Sequence, residues 1–181
     1  MLLHKKDSLM VLIDVQEKLA PFVLNSNNVI DRCEWLLKLA TRLEVPILVS
    51  EQYPKGLGAT VEPLNTYFSP SECIEKIHFS CMQEPNFFAH LKQSNKKQLI
   101  LFGIEAHVCV LQTAIEMKES GFDVYVVIDA VSSRNIQDLK YALKRMKQAG
   151  IYLITAEMVF FEWLRQAGTA DFKALSKEFL Q

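Results

Sequence analysis

An acid, an amine and a thiol each stand near the end of a short apolar run in this chain of 181 residues. Asp14 follows the run at 9–13, Lys76 lies late in the run at 73–77, and Cys109 comes across a tight turn from the run at 98–103. These are the parts of an acyl-transfer site. A thiolate attacks a carbonyl carbon, a carboxylate takes and returns its proton, and a lysine ammonium favours the charged form of both. With Cys109 opening a helix, unpaired amides and the helix dipole favour the thiolate and lower the thiol pKa, and amides of the turn face a developing oxyanion. Each group also has an ordinary use. A buried Cys is a small hydrophobe, an Asp after a strand caps the next helix, and a Lys sits on the surface. Spacing alone leaves the function undecided.

The elements that must position these groups follow from the apolar pattern. Six short runs without alternation, at 9–13, 46–50, 73–77, 98–103, 124–128 and 151–155, read as parallel strands covered on both faces. Between them, 29–43 carries Ile30, Cys33, Leu36, Leu37, Ala40 and Leu43 at helical spacing. Further helices are expected at 86–91, 108–119 and 136–148, and from Met158 and Asp171. Strand and helix alternate throughout, so residues 1–181 read as one α/β domain with an open parallel sheet and helices on both faces. In such sheets ligands bind beyond the carboxyl ends of the strands, where strand order reverses. The three reactive groups fall on that edge. The irregular stretch at 51–71 borders it, its Gly56 and Gly58 reading as a turn rather than a nucleotide fingerprint. Ser132, Ser133 and Asn135 read as the cap of the following helix.

Composition narrows the class of partner. Hydrophobic residues make up 50% and charged ones 23%, an ordinary globular balance. Twenty Lys and Arg against 21 Asp and Glu leave a net charge of −1, so no field draws nucleic acid or an anionic membrane. A small molecule suits the chain better. No apolar run approaches the roughly 20 residues of a membrane span, and Met1 to Asp7 has no signal-peptide core, so a cytoplasmic protein is expected. Cys33, Cys73, Cys81 and Cys109 form no CxxC pair, which makes reduced thiols the expectation.

Three strings carry a family resemblance. Leu12-Ile13-Asp14-Val15-Gln16, Lys76-Ile77-His78-Phe79-Ser80 and Gly103-Ile104-Glu105-Ala106-His107-Val108-Cys109-Val110 resemble, in order, the signature segments of isochorismatase-like cysteine hydrolases. Glu51-Gln52-Tyr53-Pro54-Lys55-Gly56-Leu57-Gly58 and Asp129-Ala130-Val131-Ser132-Ser133-Arg134 are similar to the isochorismatase-domain-containing branch rather than to nicotinamidases. The resemblance implies a three-layer αβα fold on a six-stranded parallel, Rossmann-like sheet, and a triad of Asp14, Lys76 and Cys109. It also implies a cis peptide between Ile104 and Glu105 and an oxyanion hole from the Glu105 and Cys109 amides. Gln52, Tyr53 and His107 become pocket candidates. Where nicotinamidases carry a metal-binding Asp-x-His, this chain has Ser50-Glu51-Gln52-Tyr53 and no histidine from 5 to 77, so neither metal nor other cofactor is expected.

The implied activity is hydrolysis of a small amide through a thioester. The alternatives are a non-catalytic binding protein that keeps the fold, and a redox-sensing thiol. The family also implies a homo-oligomer, for which Val159, Phe160, Phe161 and Trp163 would form an interface or else cover the sheet.

Overall fold

In the strand Ser8–Ile13 (β1), Leu9, Val11 and Ile13 enter one apolar cluster while Met10 and Leu12 enter another. A strand buried on both faces requires that division. The computed structural model describes residues 1–180 and continues the pattern through Ile47–Gln52 (β2), Cys73–Lys76 (β3), Gln98–Ile104 (β4), Asp123–Ser132 (β5) and Tyr152–Ile154 (β6). All neighbours pair parallel, in the order β3-β2-β1-β4-β5-β6. The helices are Ser26–Arg42 (α1), a single turn at Pro54–Leu57 (α2), Pro85–Gln93 (α3), Leu111–Glu119 (α4), Ile136–Gln148 (α5), Ala156–Leu164 (α6) and Ala170–Phe179 (α7).

Each face of the sheet has its own helical layer. Leu36, Leu37 and Ala40 of α1, Val159, Phe160 and Trp163 of α6, and Leu175 and Phe179 of α7 pack on Met10, Leu12, Ile100 and Phe102. On the other face Phe87 and Leu91 of α3, Leu111, Ala114 and Met117 of α4, and Ala142 and Met146 of α5 pack on Leu9, Val11, Leu99 and Leu101. The result is the three-layer αβα arrangement. Each large side chain fully buried this way stabilises the fold by about 1.5–3 kcal/mol. Val159, Phe160 and Trp163 of α6 thus cover the sheet, with Trp163 also donating to Ser8 Oγ at 3.0 Å, while Met158 and Phe161 stay exposed.

Two elements differ from their apolar patterns. The fifth strand runs on to Ser132, past the exposed Ile128 and Asp129, because the β4–β5 register shifts between Leu101 and Gly103 and pairing resumes at Gly103↔Val131. Across this gap β5 carries three residues more than β4, and such a bulge exposes side chains that alternation would bury. The helix expected from 108 begins instead at Leu111, after one wide π turn at Ala106–Val110.

The order of strands reverses between β1 and β4, and their ends approach very closely. Gly103 has φ 120°, and a Cβ there would meet the Ile13 carbonyl oxygen at 2.1 Å. A glycine at this seam lets the turn carrying Cys109 lie against the strand carrying Asp14. Gly103→Ala is expected to destabilise the fold by on the order of 3 kcal/mol in urea unfolding, combining left-handed strain with overpacking. Gly168→Ala, with nothing within 4 Å of its added Cβ, should cost about 1 kcal/mol. Equal losses would refute the close-approach explanation.

Candidate active site

Asp14 leaves β1 in the left-handed region at φ 51°, a conformation Asp tolerates better than most residues. Its amide donates to the Ser50 carbonyl at 3.1 Å, and its own carbonyl accepts from the Gln16 amide at 2.8 Å. Ser50 pairs with Ile13 in the β1–β2 ladder, so its hydroxyl reaches Asp14 Oδ1 at 2.7 Å. The carboxylate is fully buried.

Lys76 ends the edge strand β3 opposite Gln52 of β2. Four oxygens surround its ammonium: Gln52 Oε1 at 2.6 Å, Asp14 Oδ2 at 2.7 Å, and the carbonyls of Phe79 at 3.0 Å and His78 at 3.3 Å. The well-directed bonds go to the other three, leaving Asp14 Oδ2 buried next to the charge without a formal hydrogen bond. Gln52 is itself fixed. Its amide donates to Gln16 Oε1 at 2.7 Å, its carbonyl accepts from Gln16 Nε2 at 3.0 Å, and its side-chain NH₂ donates to the Ile77 carbonyl at 2.7 Å.

The bond between Ile104 and Glu105 is cis, as the resemblance implied. The Glu105 carbonyl then accepts from the amides of Val108 at 3.1 Å and Val110 at 3.2 Å, passing over Cys109. Cys109 is 6% exposed, and its buried thiol lies near enough to Asp14 and Lys76 to feel both charges. Burial, followed by the Asp14 charge, pushes this thiol far above its ordinary value, and Lys76 offsets only part of the effect. The expected low thiol pKa is therefore corrected. The sulfur lies inside the core beside a carboxylate rather than at an open helix end. Burial also raises Asp14 despite Lys76 and Ser50. Burial pulls the Lys76 ammonium down, but Asp14 together with the Cys109 and Cys81 sulfurs outweighs it and leaves the group more firmly protonated.

The pocket candidates separate. Gln52 joins the Asp14–Lys76 pair directly, accepting from the Lys76 ammonium. Tyr53, 55% exposed, lines a cavity of about 290 Å³ with Lys76, Ile77 and Glu84. His107 turns to Ser133, with Nδ1 and Oγ 2.9 Å apart. His78 is exposed and bound to Glu84 at 2.9 Å. Volume alone does not select the site, because a depression of about 500 Å³ lined by Asp31, Arg32, Trp35 and Asp129 lies away from these residues.

Sequence reasoning missed three contributors. Ser50 and Gln16 both adjoin singled-out residues, but their partners depend on strand register. Cys81 is buried near the pair, its thiol pushed up to about 11 by burial and then by Asp14. Asn135 does cap α5, accepting from the Gln137 amide, whereas Ser132 donates to the Leu24 carbonyl and Ser133 faces His107. Among the described residues no group of three or more His, Cys, Asp or Glu side chains is placed to hold a metal ion.

Residues 8–158 match the family model described as Isochorismatase domain. Isochorismatase family protein 1A of Dictyostelium discoideum is 38% identical over 177 residues, covering 94% of this chain and 85% of the relative. A Caenorhabditis elegans structure described as MAR1 ribonuclease has a TM-score of 0.92 at 38% identity, covering 100% of this chain and 93% of that one. The Escherichia coli YcaC product, described as an octameric hydrolase of unknown specificity, has a TM-score of 0.92 at 28% identity, covering 99% and 91%.

Two measurements check this geometry. Alkylation of Cys109 by iodoacetamide is expected to accelerate with pH through pH 9 without levelling off near neutrality, because the thiol pKa is raised; a neutral plateau would indicate a resting thiolate. Lys76→Met should cost about 3–5 kcal/mol by leaving a buried carboxylate unpaired, and Asp14→Asn in the same chain should restore much of that loss.

Proposed function

The chain belongs to the isochorismatase family, and from that premise we propose that it is a cysteine hydrolase that cleaves the C–N bond of a small amide through a thioester. The observation that carries this reading is the water-excluded Asp14–Lys76 pair at 2.7 Å, with the buried Cys109 thiol near enough to feel both charges. Such an arrangement can move a proton without releasing it to solvent.

In this mechanism Asp14 takes the Cys109 proton as sulfur attacks the carbonyl carbon. The Glu105 and Cys109 amides receive the oxyanion. Collapse breaks the C–N bond, and Asp14 returns the proton to the leaving amine. Water then loses a proton to Asp14 and attacks the thioester; the acid departs and Cys109 recovers its proton. Lys76 keeps a positive charge beside the carboxylate in both half-reactions. A raised Asp14 pKa suits this traffic, since an efficient proton carrier lies nearer the working pH than a free carboxylate does. Gln52, Tyr53 and His107 are assigned to the pocket wall, and the whole chain is taken as one hydrolase domain. No cofactor enters the scheme.

The nematode relative's description as a ribonuclease makes RNA the second substrate class to weigh. Phosphate binding needs available cations. Lys76 is already paired with Asp14 and Arg134 with Glu105 at 2.7 Å, and Lys55 shares the cavity with Glu75 and Glu84, whose charges oppose a polyanion, which favours the neutral amide. Four free cysteines suit a reducing compartment, and the cytoplasm is proposed. No helix among the described residues is long and apolar enough to cross a membrane. The octameric relative supports self-association of this chain.

A panel of small amides, with an RNA substrate alongside, tests the assignment. Cys109→Ala is expected to bring amine release to background while circular dichroism stays unchanged. Turnover that survives the substitution, or that occurs on RNA alone, would remove the thioester reading. Light scattering should give a mass several times that of one chain; a monomer at micromolar concentration would contradict self-association.

A further inference from the structure

The side chain of Glu105 makes contacts that the thioester scheme does not use. Glu105 is nearly buried, and both its carboxylate oxygens are occupied by one residue 29 positions later. Arg134 donates from Nη2 to Oε1 at 2.7 Å, from Nε to Oε1 at 3.2 Å and to Oε2 at 3.1 Å, and from its own main-chain amide to Oε2 at 3.1 Å. Paired and main-chain bonds of this kind fix direction as well as distance. Burial alone would raise the Glu105 pKa, but the Arg134 bonds outweigh it and hold the carboxylate charged.

The segment that supplies Arg134 grips the same turn at a second point, through Ser133 Oγ and His107 Nδ1 at 2.9 Å. It is anchored in turn to the segment after β1. The Leu24 amide donates to the Ser133 carbonyl at 3.0 Å, and Ser132 Oγ donates to the Leu24 carbonyl at 2.7 Å. Glu105 and His107, four and two residues before Cys109, are thus held by residues from outside the turn. Ordinary exposed ion pairs contribute at most about 1 kcal/mol. Here the carboxylate is removed from water and belongs to the residue whose amide the proposed mechanism aims at the oxyanion.

We infer that Glu105 and Arg134 are positioning residues whose ion pair holds the Glu105 to Cys109 backbone with its amides directed at the acyl oxygen. The inference rests on the thioester reading. It assigns the pair an effect on acyl transfer and none on the attacking power of the sulfur. Small displacements of oxyanion donors suffice for such an effect, since losing one donor lowers turnover by about 10²–10³-fold.

Two reactions of the same sulfur separate the possibilities. With p-nitrophenyl acetate, Cys109 forms an acetyl thioester, p-nitrophenolate leaves with the bonding electrons, and an oxyanion forms on the way. With iodoacetamide, sulfur displaces iodide from a saturated carbon and no oxyanion forms. Arg134→Ala and Glu105→Gln are expected to slow acetylation by about 100-fold, through kcat rather than KM, and to change alkylation by less than about twofold. Arg134→Lys, which keeps the charge but loses the fork, should recover part of the rate and guards against a misfolded alanine variant. Parallel loss of both reactions, or no loss of acetylation, overturns the inference. A wild-type protein that alkylates but gives neither acetyl-Cys109 by mass spectrometry nor Cys109-dependent release of p-nitrophenolate overturns the thioester reading itself. Normal wild-type acetylation with unaffected variants overturns only the positioning role.

Discussion

Removing a carboxylate and an ammonium from water costs several kcal/mol for each ion even after the surroundings relax. The polar groups around Asp14 and Lys76 offset that penalty. Ser50 supplies a hydroxyl to one carboxylate oxygen, and Gln52 with two carbonyls surrounds the ammonium. Gln52 can serve only while Gln16 holds it, and Gln16 also donates to the Gly58 carbonyl at 2.7 Å. The pair thereby ties three adjacent strands to the loop beyond β2. An apolar pair of equal volume would often stabilise a core as well, so charge at this place is better explained by chemistry than by folding.

The strand-end places of Asp14 and Lys76 were legible because a parallel sheet buries its strands on both faces and a reactive side chain closing an apolar run stands out, whereas grouping them with Cys109 as a triad came from the family resemblance. Ser50 and Gln52 occupy equivalent strand ends, yet their roles depend on the pairings Ile13↔Ser50 and Gln52↔Lys76. Apolar runs carry no such register. The contact of Glu105 with Arg134 was hidden for a related reason: it needs β5 to continue past two exposed residues, and the register shift that permits this leaves no apolar signature. The six strands and both helical layers, by contrast, followed from hydrophobic pattern alone.

The state of the Cys109 thiol illustrates a different limit. Its position before a helix argues for a thiolate, but burial and Asp14 oppose one more strongly. Oxidation by peroxides follows thiolate character and exposure. A covered, protonated sulfur is poorly suited to redox sensing, which favours the hydrolytic reading over that alternative. In the proposed mechanism the transfer of this proton to Asp14 would await the substrate's entry.

Lys76 belongs to a strand of four residues with β2 as its sole partner in the sheet. Short edge elements open more readily than the centre of a sheet. An opening of this kind would lift the ammonium from its ring of oxygens and admit water to Asp14 without parting the β1–β4 seam. Competence and foldedness are consequently separate quantities in this protein. A population can retain nearly all its helix and sheet and yet contain molecules whose central charge is momentarily hydrated, so warming would erode the working fraction earlier than it erodes the architecture.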